Sequence, residues 1–334
     1  MRTMVVLIMC CVFLLSSCEE NFSPKTEFEE AYIASCIIGL EDGNNKFVAS
    51  LNLASTYDAK GIIPYINNID PTITEANAIL SFPHIASYKL ENDTSIFHHP
   101  GIPDSIIWAD YNRYGNPFVT FSAIEIPIRF SPLNLDVEFP NGDKLTASTE
   151  FPRGVFLEMN YDFPHGVTAD VNTFKYGNYW EIKWDAEENH MYYITLKLNY
   201  QLEAQPDNIY KSIEIPLEFV NNKPVYPKFN YPGNVRYSFE SINQVMASLG
   251  NETVDSNSII VNNFILNIIE MNEDLSSYYS SINGFLDEYS VRLDEQIYTN
   301  VKGGIGIFGA YKNTEIKKLV DRNYAESFGY KVQN

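Results

Sequence analysis

Tyr179-Trp180-Glu181-Ile182-Lys183-Trp184-Asp185, followed after a short acidic turn by Tyr192-Tyr193-Ile194-Thr195-Leu196-Lys197-Leu198-Asn199-Tyr200, is the stretch that sets the fold class of this chain. In the first run Trp180, Ile182 and Trp184 fall on one face of a period-two pattern. In the second the alternating set is Tyr192, Ile194, Leu196, Leu198 and Tyr200. Strict alternation marks a strand with one face against a core and the other in water. Large aromatics on such a strand fill the space between two sheets stacked about 10 Å apart. The stretch therefore predicts two strands of a β-sandwich with both tryptophans buried.

Working outward, residues 211–227 continue the strand pattern, and Phe151-Pro152-Arg153-Gly154 reads as a boundary upstream. Before it stands a hairpin. Leu133, Leu135, Val137 and Phe139 share one face, and Asn134, Asp136 and Glu138 share the other. Pro140-Asn141-Gly142-Asp143 then turns the chain into Lys144–Thr149, and Asn-Gly tolerates the positive φ a tight turn demands. Residues 28–40, 46–55, 76–90 and 118–130 give further strands, and the Pro/Gly-punctuated segment 101–115 reads as loop. The expected fold is mainly β: a first β-sandwich over 28–150 and a second over 151–334. The tryptophan strand, acidic turn and tyrosine strand resemble the B and C strands of fibronectin type III and immunoglobulin-like domains, which implies two immunoglobulin-like units.

Two helices interrupt the pattern. Phe239, Ile242, Met246 and Leu249 lie at helical spacing between Ser238 and Gly250, with Gly250 placed to end the helix. Ser258 to Met271 reads as a long buried strand. Asp274 to Tyr289 reads as a second helix with Leu275, Tyr278, Tyr279, Ile282, Phe285 and Leu286 inward and Asp274 as N-cap or first-turn acid.

The N-terminus fixes the expected compartment. Arg2, an apolar run from Val5 to Leu15, and Ser16-Ser17 before Cys18 form the three parts of an export signal. The apolar run, at about eleven residues, is well short of the roughly twenty a spanning helix needs. Leu15-Ser16-Ser17-Cys18 resembles the lipobox of bacterial lipoproteins. That resemblance implies a signal over 1–17, lipid attachment at Cys18 and a tether over 18–27. The acidic pair Glu19-Glu20 resembles the surface-export signal of Bacteroidetes lipoproteins, and implies a lipid-anchored protein on the outer face of the outer membrane. Of four cysteines, Cys10 and Cys11 leave with the signal and Cys18 is acylated. Cys36, in an apolar strand, reads as a buried, inert thiol. A net charge of −20 repels phosphate backbones, which argues against nucleic acid as a partner.

Asn300-Val301-Lys302-Gly303-Gly304-Ile305-Gly306-Ile307-Phe308-Gly309 follows the second helix. The order of parts (lipobox, two sandwich-like units, Tyr-rich helix, N-x-x-G-G-x-G-x-F stretch, last strand) resembles a Bacteroidetes lipoprotein family of uncharacterised function. What that implies is a non-enzymatic accessory of a TonB-dependent outer-membrane transporter that captures or presents nutrient, with no cofactor. In this reading Asn300, Gly303, Gly304, Gly306, Phe308 and Gly309 are structural: the glycines permit positive φ or close backbone approach. Gly304 to Gly309 also fits G-x-G-x-x-G literally, but without the βαβ context a dinucleotide loop needs.

The search for chemistry finds no G-x-S-x-G, H-E-x-x-H, Walker or EF-hand pattern. The histidines are His84, His98, His99, His165 and His190. His98-His99 with Asp104 and Asp110 could meet a metal, yet adjacent histidines on a strand point to opposite sides, so a solvated loop is the preferred reading and no metal site is expected. No carboxylate pair stands out for hydrolysis. Trp108, with Tyr111 and Tyr114, is the candidate ligand or partner contact, because sugar rings stack on aromatic faces; the other reading is a loop anchor. A glycan-binding or adhesion lipoprotein is the alternative function.

Overall fold

The computed structural model describes residues 30–40, 46–56, 71–83, 86–93, 120–127, 132–157, 179–203, 208–227, 233–252, 258–283 and 298–333. The chain is mainly β. Strands β1 (Tyr32–Leu40), β2 (Lys46–Ser55), β3 (Asn77–Phe82), β4 (Ala86–Asp93), β5 (Thr120–Pro127), β6 (Leu133–Glu138) and β7 (Lys144–Thr149) pair edge to edge in the order β1-β2-β5-β4-β3-β6-β7. Each of these pairs is antiparallel. The β6–β7 hairpin has the register its alternation dictates, Leu133 opposite Thr149 and Glu138 opposite Lys144, and Gly142 in its turn takes φ +88°. One face of every second residue turns inward. Ala34, Cys36 and Ile38 of β1, Leu51 and Leu53 of β2, Leu80 of β3 and Leu135 and Val137 of β6 are buried together. Burial pushes the Cys36 thiol up, which keeps it protonated and unreactive.

This sheet curls until its ends meet on one segment. β15 (Val301–Lys302) adds to β7, and two glycines later β16 (Ile305–Leu319) runs parallel to β1, with Cys36 opposite Phe308. The turn and the close approach require glycine. Gly303 takes φ +85°, and a Cβ on Gly306 (φ +132°) would run into the Ala34 carbonyl oxygen. Gly304 sits against the Tyr32 backbone, and Gly309 against Leu275. Asn300 ties the turn down: its Oδ1 accepts from the Phe308 N–H at 2.9 Å and its Nδ2 donates to the Phe308 carbonyl at 2.8 Å. Across the seam Tyr32 stacks on Phe139 with ring centres 3.9 Å apart. Val301, Phe308 and Ala310 complete the first core.

The far half of β16 belongs to a second core. From Tyr311 to Leu319 it pairs antiparallel with β14 (Ile259–Met271), which pairs with β9 (Met191–Leu202), which pairs with the edge strand β10 (Ile209–Glu214). β8 (Tyr179–Lys183) lies in a separate two-stranded sheet with β13 (Asn234–Ser238). The tryptophan strand and the tyrosine strand thus face each other from different sheets. Trp180, Ile182 and Trp184 meet Tyr192, Ile194, Leu196 and Leu198 in one buried cluster. A small hairpin of β11 (Glu218–Val220) and β12 (Lys223–Val225) and helices α1 (Phe239–Leu249) and α3 (Arg322–Ser327) close this side. β17 (Lys331–Val332) pairs with β14.

Three details fill out the sequence expectations. Helix α1 ends at Gly250 as expected; Gly250 stays right-handed (φ −60°) and leads into a 3₁₀ turn, Gly250–Glu252, and the Tyr330 hydroxyl donates to the Met246 carbonyl at 2.7 Å. Helix α2 (Glu273–Asn283) is capped by Asn272, whose Oδ1 accepts from the Leu275 N–H, and Asp274 stands in its first turn; the expected extension to Tyr289 lies outside the described residues. Third, the first core draws Val301, Phe308 and Ala310 from beyond the boundary at residues 151–154.

The two cores are joined by polar groups as well as by β16. Asn272 is 4% exposed. Its amide donates to Thr149 Oγ1 at 2.6 Å and to the Glu150 carbonyl at 2.8 Å, while its oxygen accepts from the Ala310 and Leu275 N–H groups. Asp274 accepts from Thr149 and from the Tyr298 hydroxyl. Every group at this joint is paired, as a buried polar network requires.

Candidate functional site

At the end of β14 the inward phase runs Phe264, Leu266, Ile268 and then Glu270, a carboxylate 1% exposed. A buried carboxylate is tolerated only when its oxygens are taken. Glu270 Oε2 accepts from the Gly154 N–H at 2.7 Å. Its Oε1 meets His190 Nδ1 at 2.9 Å and accepts from the Tyr192 hydroxyl at 3.3 Å. The Tyr192 oxygen in turn accepts from the Glu187 N–H at 2.9 Å. Register explains the meeting: Tyr192 on β9 and Lys312 on β16 stand directly opposite Glu270. His190 comes from the acidic turn before β9, and Gly154 from the segment crossing the strand ends. Lys312 Nζ holds that segment by donating to the Arg153 carbonyl at 2.8 Å. Burial, reinforced by the Glu270 charge, pushes the Tyr192 phenol up, so it remains a donor.

Glu187 completes the corner. Its Oε2 lies 3.8 Å from His190 Nε2 and its Oε1 3.4 Å from Arg153 Nε. Asn189 donates to Glu273 at 3.3 Å. Glu187, His190 and Glu270 each offer one atom within 4.8 Å of the others, the composition of a metal site. Their arrangement is not that of one. Glu270 faces Nδ1 and Glu187 faces Nε2, on opposite sides of the ring, and one imidazole cannot present both nitrogens to a single ion. Three protein groups, Gly154, His190 and Tyr192, already face the Glu270 oxygens. What the corner does is hold an imidazole between two carboxylates, pinning the β8–β9 turn and the 151–157 crossing segment to the sheet.

Cys18, Trp108, Tyr111 and Tyr114 lie outside the described residues, as do His84, His98, His99, His165, Asp104 and Asp110. Asn300, Gly303, Gly304, Gly306, Phe308 and Gly309 gather at the seam of the first core. Glu270 itself escaped sequence reasoning, although a signal was present: an acid in phase with three buried apolar residues of one strand.

No protein-family model and no curated protein matches this chain.

Proposed function

We propose that this chain is a lipid-tethered protein of the outer-membrane surface that acts by binding rather than catalysis, as an accessory to TonB-dependent nutrient uptake. In this reading its strands form two immunoglobulin-like sandwich units sharing one long strand, and it belongs with the Bacteroidetes lipoproteins it resembles. The observation that carries the proposal is Leu15-Ser16-Ser17-Cys18 followed by Glu19-Glu20. Among the described residues no helix is long and apolar enough to cross a membrane; in this reading attachment falls to an acyl chain and its tether. One acyl chain binds marginally and stable anchoring takes more than one, which the multiply acylated cysteine of such lipoproteins supplies. At the Glu270 corner the carboxylate is taken up by His190, Gly154 and Tyr192, which suits a structural use of this pair.

The test has two arms. Mass spectrometry of the native N-terminal peptide is expected to find acylated Cys18, and Cys18→Ser is expected to leave the membrane fraction. A mature N-terminus without fatty acid sinks the anchoring. A pull-down from solubilised outer membranes is expected to recover a large β-barrel partner; recovering none sinks the accessory role.

A further inference from the structure

The tip of the β6–β7 hairpin is tied to the first strand by side chains. Asn141 Nδ2 donates to the Tyr32 hydroxyl at 2.9 Å and to Asp143 Oδ2 at 2.7 Å. The same hydroxyl donates to Asp143 Oδ2 at 3.0 Å, and Asn141 Oδ1 accepts from the Asp143 N–H at 3.1 Å. The Tyr32 ring, stacked on Phe139, carries its hydroxyl to the turn. Within the turn the Gly142 N–H donates to the Phe139 carbonyl at 2.9 Å.

Asn141-Gly142 is also a chemically labile pair. An asparagine carboxamide is most open to the next backbone nitrogen when glycine follows, because no Cβ shields that nitrogen. Both residues are exposed, and a Cβ built on Gly142 meets no heavy atom within 4 Å. Bulk therefore gives no protection here. Hydrogen bonds do: the Gly142 N–H is taken by Phe139, and both ends of the Asn141 carboxamide are held. One of those holds comes from Tyr32, on a different strand, so it lasts only while the hairpin tip stays on β1.

We propose that Asn141 is a deamidation site gated by the Tyr32 latch. When the latch opens, the Gly142 nitrogen gives its proton to a solvent base and attacks Asn141 Cγ. The Cγ–Nδ2 bond breaks and Nδ2 leaves as ammonia, taking up a proton. Water then opens the cyclic imide at either carbonyl and leaves aspartate or isoaspartate at position 141. The net change is one water in and one ammonia out. The product cannot latch again. It has lost the N–H groups that Tyr32 and Asp143 accepted, and it sets a second carboxylate beside Asp143; isoaspartate also lengthens the turn backbone by one carbon. The reaction thus marks, irreversibly, each molecule whose hairpin tip has left β1.

Peptide mapping by mass spectrometry, on the full chain in detergent held at mildly alkaline pH, tests this. The chain's other such pair, Asn283-Gly284, is read in the same digests as a reference. Asn141 is expected to convert at least about tenfold more slowly in the folded protein than in the urea-unfolded chain. Tyr32→Phe keeps the ring and removes the hydroxyl. It is expected to speed conversion of Asn141 about tenfold, the loss of two hydrogen bonds, and to leave Asn283 unchanged. Should Tyr32→Phe fail to fold, Asp143→Ala opens the same latch from its other side. Equal rates at Asn141 in folded and unfolded chains would overturn the proposal. So would a folded latch variant that is no faster than wild type, or that speeds both pairs alike.

Discussion

The two cores of this protein solve different packing problems with different residues. The first is lined mostly by alanines, a cysteine and aliphatic chains, with Phe82, Phe139 and Phe308 among them: Ala34, Cys36, Ala49, Ala78, Ala147 and Ala310 stand beside Leu51, Leu80 and Leu135. The second holds Trp180, Trp184, Tyr192, Tyr200, Tyr237, Phe264, Tyr324 and Tyr330. The geometry accounts for the contrast. A sheet curled on itself brings its inward Cβ atoms together, so small residues must fill the tight side. Facing sheets and helices leave a layer of about 10 Å that aromatics fill. Tyrosine carries a consequence: a buried hydroxyl is costly without a partner, and three of these find one. Tyr324 donates to Asn243 at 2.8 Å, Tyr330 to the Met246 carbonyl, and Tyr192 to Glu270. The aromatic core thus admits a buried carboxylate and its histidine, while the aliphatic core admits neither.

The contrast can be broken first at the strand both cores share. Gly306→Val places a branched side chain where φ is +132° and the Ala34 carbonyl lies in the way. We expect a loss of more than about 4 kcal/mol in denaturant unfolding, enough to prevent folding. A cost under about 1 kcal/mol would show that the sheet does not close at this seam. Asn272→Ala comes next. It strands the Leu275 and Ala310 N–H groups in the interior and should cost about 3 kcal/mol or more. Because the residue binds both cores, a single cooperative transition should split or broaden.

Overpacking sharpens the difference between the cores. Ala34→Leu in the curled sheet is expected to cost about 1–3 kcal/mol. If Ala34→Leu is neutral in calorimetry, the first core is looser than its alanines imply. Glu270→Gln keeps the shape of the corner and removes its charge. It should cost about 1–3 kcal/mol and release the 151–157 segment to proteolysis before the sheet unfolds.

The smallest effect is a pH dependence. Burial raises the Glu214 carboxyl in the fold, so the folded state binds more protons than the unfolded chain between the unfolded and folded pKa values. Stability from this group therefore falls as pH rises through that window. Glu214→Gln should be neutral in acid and stabilising, within about 0.5 kcal/mol, at neutral pH, as read from midpoints at the two pH values. The opposite sign would mean that Lys197 dominates the site.

Much of this is legible in the chain. Period-two runs set the strands, Asn141-Gly142 sets the hairpin, and the 3.6-residue spacing of Ile242, Met246 and Leu249 sets α1, because backbone sterics and one-sided burial act within a few residues. The buried tryptophans follow from the same alternation. Gly306 was visible as a glycine that some close approach must require, without the neighbour it approaches.

What the local pattern could not contain is which strand lies beside which. A strand's alternation states that one face is buried and is silent about its partner, so nothing in residues 305–319 announces that one half runs parallel to β1 and the other antiparallel to β14. The same holds for the Glu270 corner, whose histidine is 80 residues away and whose Gly154 donor is 116. By itself the sequence determined strand class, turn chemistry and charge. The tertiary structure alone decided the seam, the joint at Asn272 and the company of the buried carboxylate, since a buried charge is stable only among donors that long-range pairing brings to it.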